Sequence, residues 1–128
     1  MEACKKDDGI LIVDDDFAVR DFLERFLKEK GYQNIITADN GLVVSEILKK
    51  ENIKLVLLDV KLPGEDGVSV LRKIKKLQKQ VGVIMITGFP EEPLAKEAIK
   101  EGAYDYIIKP FNLDYLELSV LTKISLMG

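Results

Sequence analysis

Two hydrophobic patterns alternate along this chain and predict five repeats of a strand followed by a helix. Continuous apolar runs, typical of strands buried on both faces, lie at 10–13, 34–38, 54–58, 81–87 and 103–108. Between these runs, apolar residues recur every three or four positions, which is the period of a helix with one buried face. We therefore expect an α/β fold in which a doubly wound, five-stranded parallel sheet carries helices on both faces.

Turn and capping residues delimit the predicted helices. Asp16 can cap the start of the first helix, and Gly31 ends it. Asp66 and Asn112 can cap the third and fifth helices, and Pro93 suits the first turn of the fourth.

The pattern predicts one domain, because no repeat, low-complexity segment or linker interrupts it. We expect a flexible tail at 1–8 and the domain at 9–125. Residues 126–128 are either the end of the protein or the start of a linker to an absent output domain.

Composition excludes several classes of function. The net charge of −3 gives no case for direct nucleic-acid binding, and no apolar stretch is long enough to span a membrane. The chain has no histidine, which excludes histidine catalysis, histidine metal sites and a phosphohistidine of its own. Without a signal peptide, and with Cys4 as the single cysteine, the chain is expected to be cytoplasmic and free of internal disulfides.

Polar side chains follow four of the five predicted strands. Asp14 and Asp15 follow the first strand and Asp59 follows the third, while Thr87 and Lys109 follow the fourth and fifth. If the strand order is 2-1-3-4-5, these groups meet at the carboxyl edge of the sheet. Clustered carboxylates repel one another unless cations such as Mg²⁺ and a lysine compensate. The set predicts a phosphoryl-transfer site with Asp59 as the acceptor.

Each of these residues also has a structural explanation when it is considered alone. Asp15 could cap a helix, and Asp59 could begin an Asx turn. Thr87 could be an ordinary strand residue, and Lys109 a solvated surface lysine. Their joint placement at four strand ends favours the functional interpretation.

Four motifs, in this order and at these spacings, resemble the receiver domain of two-component response regulators. They are ILIVDDD, LVLLDVKLPGEDG, VIMITGF and AYDYIIKPF, and the resemblance runs from about Gly9 to Ile124. It implies a flavodoxin-like (βα)5 fold. It also implies that Asp59 is the phosphorylated aspartate, and that Asp14 and Asp15 match the acidic pair that binds Mg²⁺.

The resemblance assigns roles to further positions. Asp59 and the backbone carbonyl of Lys61 would complete the Mg²⁺ ligands. Thr87 matches the switch hydroxyl, Lys109 the lysine that pairs with the phosphoryl group, and Tyr106 the aromatic switch. The peptide bond before Pro110 is typically cis in this family.

The resemblance also implies partners. The phosphoryl group would come from a phosphohistidine on a histidine kinase or a histidine phosphotransfer protein. Phosphorylation would then repack the fourth helix, fifth strand and fifth helix into a new surface. A C-terminal output domain, a stand-alone phosphorelay shuttle and a phosphorylation-dependent homodimer are left open.

Two positions carry an individual hypothesis. Lys61 and Phe89 flank the path of the hydrolytic water in this family, and neither is well suited to orient it. We therefore predict slow self-dephosphorylation, with the alternative that both side chains only decorate their loops.

Two rival functions fit the sequence less well. A phosphatase of the haloacid-dehalogenase type needs a second aspartate where this chain has Lys61, and a pseudo-receiver would lack site residues that this chain has. We expect a protein that is not an enzyme in its own right and catalyses only its own phosphorylation and dephosphorylation.

Overall fold

The computed structural model describes residues 8–88, 92–109 and 113–127, and these residues form the five predicted repeats. The strands are, in chain order, β1 (Gly9–Val13), β2 (Ile35–Ala38), β3 (Ile53–Asp59), β4 (Lys61–Leu62), β5 (Glu65–Asp66), β6 (Gly82–Thr87) and β7 (Asp105–Ile108). The helices are α1 (Phe17–Glu29), α2 (Val44–Lys50), α3 (Gly67–Leu77), α4 (Glu92–Lys100) and α5 (Leu113–Met127). Among these helices, none combines the length and the hydropathy that crossing a bilayer requires.

The main sheet has five parallel strands in the order β2-β1-β3-β6-β7. This order confirms the predicted 2-1-3-4-5 arrangement, because β6 and β7 are the fourth and fifth strands of the repeats. In the register, Val13 lies opposite Leu58, Asp59 opposite Ile86, and Thr87 opposite Ile108. The carboxyl ends of β1, β3, β6 and β7 therefore finish at the same edge of the sheet.

Alternate residues of each central strand feed two separate hydrophobic layers. Ile10, Ile12, Leu55 and Leu57 face α1 and α5, where Leu116 is fully buried. The intervening residues face α2, α3 and α4; they include Leu11, Val13, Val56 and Leu58. Burial on both faces explains why the strands are continuously apolar rather than alternating. Each such side chain contributes roughly 1.5–3 kcal/mol when it is removed from water.

The predicted helix boundaries are largely confirmed. Asp16 accepts a hydrogen bond from the N–H of Ala18 at 2.9 Å, and Asp66 accepts one from Ser69 at 2.8 Å. Gly31 follows α1 with a φ of +98°, a left-handed conformation that glycine adopts readily. Pro93 lies in the first turn of α4. Asn112 is outside the described residues, as are Cys4 and Pro110.

Three details differ from the predicted pattern. The last sheet strand begins at Asp105 rather than at residue 103, because the N–H of Ala103 still bonds to Ala98 at the end of α4. The apolar pattern places Val43 in the second helix, but α2 begins only at Val44. Val43 lies just before the helix and is exposed. The segment after β3 forms an unpredicted antiparallel ribbon in which Lys61 pairs with Asp66.

Candidate functional site

Three carboxylates meet at the carboxyl edge of the sheet, where β1 and β3 end. Asp14, Asp15 and Asp59 each offer an oxygen, and these oxygens all lie within 4.8 Å of one another. Asp14 and Asp59 are only 2% and 6% exposed, whereas Asp15 faces solvent. The structure therefore brings together the acidic cluster that the strand ends predicted.

The loop from β1 to α1 is held by hydrogen bonds at each side of Asp14. The N–H of Asp14 donates to the Ala38 carbonyl on β2 at 3.1 Å. Its carboxylate accepts from the N–H of Asp16 at 2.9 Å, and its carbonyl accepts from Nη1 of Arg20 at 2.7 Å. The backbone that carries the acid pair is thus tied to both its neighbouring strand and its own helix.

Asp59 is the last residue of β3 and points into the same cluster. Its Oδ1 accepts a hydrogen bond from the N–H of Lys61 at 3.3 Å, as in the Asx turn considered from the sequence. The Asx turn and the acceptor role are compatible, because Oδ2 faces Lys109 instead.

Gly67 lies directly behind the backbone of Asp59. A Cβ atom at this position would stand 2.2 Å from the Asp59 carbonyl oxygen, and the N–H of Gly67 donates to Val60 at 2.6 Å. Only glycine permits this approach. The sequence interpretation did not single out Gly67; the available signal was a glycine placed just after the cap Asp66 and opening a helix.

Lys109 reaches from the end of β7 into the acidic cluster. Its Nζ lies 3.0 Å from Oδ2 of Asp14 and 3.9 Å from Oδ2 of Asp59. The backbone N–H of Lys109 donates to the Thr87 carbonyl at 2.7 Å, which fixes the start of the loop. Lys109 is therefore a partner of the acids and not a solvated surface lysine.

The carboxyl group of Asp59 is buried beside other acids, and the nearby lysine offsets this only in part. The pKa of the Asp59 carboxyl is raised from 3.8 to about 6, first by burial and then by the negative charge of the neighbouring Asp14. The Lys109 ammonium and the Lys61 N–H oppose this pKa shift without cancelling it. A hard divalent cation would supply the missing positive charge, so the donor set fits Mg²⁺.

The predicted switch residues lie on the β6–β7 side of the site. Thr87 ends β6 and is fully buried. Tyr106 lies on β7 opposite Met85, is partly exposed, and packs against the hydrophobic layer under α2, α3 and α4. Phe89 is outside the described residues, so slow self-dephosphorylation stays a prediction.

Comparison with known proteins agrees with this geometry. The family model described as "Response regulator receiver domain" matches residues 10–121. The chain is 38% identical over 111 residues to sporulation initiation phosphotransferase F of Bacillus subtilis, covering 87% of this chain and 89% of that protein. It is 36% identical over 111 residues to the transcriptional regulatory protein ZraR of Escherichia coli, and there it covers only 25% of the relative.

Solved structures give the same picture. A CheY-like receiver domain protein from Methanospirillum hungatei superposes with a TM-score of 0.89 at 31% identity, covering 94% of this chain and 96% of that one. NtrX from Brucella abortus superposes with a TM-score of 0.87 at 33% identity, but the match covers only 27% of its chain.

Proposed function

The chain belongs to the response regulator receiver domain family, and from this premise we propose that Asp59 is its phosphoacceptor. The observation that carries the proposal is the surroundings of Asp59. It is buried at a strand end, within 4.8 Å of two further carboxylates and 3.9 Å from a lysine ammonium. A purely structural aspartate needs none of these neighbours.

The chemistry that we propose is transfer to a carboxylate oxygen. With a pKa of about 6, Asp59 is mostly ionised at neutral pH and carries a free electron pair. An Asp59 oxygen forms a bond to phosphorus while the bond from phosphorus to the donor nitrogen breaks and its electron pair stays on the donor imidazole. The product is an acyl phosphate.

We propose Asp14, Asp15, Asp59 and the backbone carbonyl of Lys61 as the ligands that hold Mg²⁺. The bound ion would offset the charge of the carboxylates and of the phosphoryl oxygens. Lys109 supplies a second positive charge from the β7 side, where its Nζ contacts Asp14. The Thr87 hydroxyl would donate to a phosphoryl oxygen.

The output that we propose is a change in the surface formed by α4, β7 and α5. Phosphorylation adds roughly −1.5 to −2 charge, which draws Thr87 toward Asp59 and lets Tyr106 turn inward. This side of the protein already exposes large apolar side chains, which are Ile99, Ile108, Tyr115 and Leu118. A coupling of about 1–3 kcal/mol would be enough to shift its population between two arrangements.

The partners that we propose are a histidine kinase or a histidine phosphotransfer protein as donor. The absence of histidine from the chain supports an acceptor role and excludes a donor role. A relative of nearly the same length is named a phosphotransferase, whereas the chain spans about a quarter of ZraR. An output domain, a phosphorylation-dependent homodimer, the domain bounds 9–125 and a cytoplasmic location therefore stay predictions.

Incubation with acetyl phosphate and Mg²⁺ tests the function against its rivals. We expect one phosphoryl group per chain, and none in the Asp59→Asn variant, with the chain acting only on its own acyl phosphate. Multiple turnovers of donor would indicate a phosphatase, and no reaction in the presence of Mg²⁺ would indicate an interaction module.

A further inference from the structure

Arg20 connects the first helix to the backbone of the acidic cluster. Its Nη1 donates to the carbonyl oxygen of Asp14 at 2.7 Å. The guanidinium carbon lies 5.7 Å from the centroid of the Phe17 ring, which supports the planar group from one side. Arg20 is partly buried and is therefore not a freely solvated side chain.

The hydrogen-bonded carbonyl belongs to the peptide group that joins Asp14 to Asp15. The orientation of that peptide plane decides where the Asp15 side chain leaves the backbone. The Asp14 carboxylate is fixed separately, by the N–H of Asp16 at 2.9 Å and by Nζ of Lys109 at 3.0 Å. Asp15 is exposed and depends on the backbone for its direction.

We propose that Arg20 is a positioning residue for the magnesium site: it holds the peptide between Asp14 and Asp15 so that the Asp15 carboxylate faces the position of the ion beside that of Asp14. The inference rests on the proposed function, since it presumes that these acids bind Mg²⁺. Arg20 itself is not a ligand, because its guanidinium carries only donors and a positive charge.

The direction of the change in Mg²⁺ affinity tests the proposal, because the charge and the hydrogen bond of Arg20 have opposite effects on Mg²⁺ binding. Its positive charge lies near the site and by itself disfavours a cation. Its hydrogen bond fixes a ligand and favours one; loss of such outer contacts typically weakens metal affinity tenfold or more. If Arg20 acted only as a nearby positive charge, its removal would tighten Mg²⁺ binding. If Arg20 positions a ligand, its removal weakens Mg²⁺ binding.

The experiment is an equilibrium Mg²⁺ titration of the full chain, with no phosphoryl donor present. Arg20→Met keeps the apolar stem and removes the donors, and we expect about tenfold weaker binding. Arg20→Lys restores the charge and one donor and should recover part of the affinity. Arg25→Met is the matched control, because Arg25 lies on the same helix, pairs with Asp21 at 3.0 Å and is exposed. It should change the affinity less than about twofold.

Unchanged or tighter Mg²⁺ binding by Arg20→Met would overturn the proposal. If Arg20→Met fails to fold, the Phe17→Leu variant tests the proposal in the same titration. Phe17 is 70% exposed, so the substitution should be tolerated, and it alters no charge. We expect it to weaken binding about twofold through a less fixed guanidinium, and wild-type affinity would contradict the proposal. Failure of the wild-type chain to bind Mg²⁺, or binding insensitive to Asp59→Asn, would overturn the proposed function instead.

Discussion

The two sides of the acidic pocket are built in different ways. On the β1–β3 side, Asp14 and Asp59 are buried, and backbone hydrogen bonds together with the close approach of Gly67 fix their loops. On the β6–β7 side, Ala98 and Leu116 anchor α4 and α5 in the core, and partly exposed polar contacts additionally join these helices to their neighbours. We therefore call the β1–β3 side the fixed side, and we expect the β6–β7 side to be the movable one.

Among the residues that the structure describes, polar contacts join neighbouring elements on the movable side. Arg72 on α3 contacts Glu97 at 2.9 Å and Glu101 at 3.2 Å, which links α3 to α4. Asp105 on β7 accepts from the Tyr115 hydroxyl at 2.6 Å and from Ser119 at 2.9 Å, which links β7 to α5. The exposed ion pairs of Arg72 can be exchanged for water at small cost, unlike the buried packing behind Asp59.

Gly67→Ala tests the fixed side with the largest expected effect. The added methyl would stand 2.2 Å from the Asp59 carbonyl oxygen, so the backbone of the acceptor must shift. We expect the free energy of unfolding to fall by about 3 kcal/mol in urea denaturation. Gly88→Ala is the control, because a Cβ there meets no atom of the described residues within 4 Å. Equal stability of the two variants would contradict a rigid backing for Asp59.

Asp59→Asn tests the charge held on the fixed side. The pKa of Asp59 is about 6 in the folded protein and 3.8 ordinarily, so the folded state binds more protons between these values. Wild-type stability without Mg²⁺ therefore falls as pH rises from about 4 to 6, and the variant escapes this loss. We expect the variant to be more stable by up to about 3 kcal/mol at pH 8 and nearly equal near pH 4.

Thermal unfolding across this pH range, with and without Mg²⁺, provides the measurement. Added Mg²⁺ should stabilise the wild type at pH 8 more than the variant, since it compensates the ionised acid. If the variant is less stable than the wild type at pH 8 without Mg²⁺, burial and the neighbouring acids do not destabilise the ionised form of Asp59, which would contradict the prediction.

Tyr115→Phe tests the tie between β7 and α5. Because the hydroxyl donates to Asp105, we expect a loss of about 1 kcal/mol in stability. The same hydrogen bond raises the pKa of Tyr115 to about 12, and Asp105→Asn should return it toward 10. Titration of the tyrosine ring by NMR measures this pKa directly. Titration of the wild-type Tyr115 hydroxyl near pH 10 would mean that its hydrogen bond to Asp105 is absent in solution.

Arg72→Ala tests the tie between α3 and α4 and has the smallest expected effect. Freeing α4 should raise the rate of phosphorylation by acetyl phosphate by no more than about threefold. The difference from wild type should vanish in concentrated salt, because exposed ion pairs are screened. Arg25→Ala is the matched control, as its partner Asp21 lies on the same helix. A slower reaction in Arg72→Ala would contradict a restraining role.

The sequence predicted which residues reach the site better than it predicted the contacts that hold them there. Strand periodicity and the topology of parallel sheets determine which residues reach the carboxyl edge, so Asp14, Asp59 and Lys109 could be placed together. The helix caps at Asp16 and Asp66 could also be predicted, because each side chain accepts a hydrogen bond from a backbone N–H only two or three residues away.

Other features depend on close approaches that no local pattern encodes. The contact of Gly67 with Asp59 and the bond from Arg20 to the Asp14 carbonyl arise from how loops fold back on themselves. The β4–β5 ribbon is two residues long on each strand, too short to leave a hydrophobic period. The tie from Arg72 to Glu97 joins residues on separate helices, and many exposed charges compete for such pairing.

The most direct test of the whole account is to locate the phosphoryl group. The chain is incubated with acetyl phosphate and Mg²⁺, the acyl phosphate is reduced with borohydride, and the peptides are sequenced by mass spectrometry. We predict that Asp59, the last residue of β3, is converted to homoserine, and only when donor and Mg²⁺ are both present. Conversion at Asp14 or Asp15 instead, or at no residue, would contradict it.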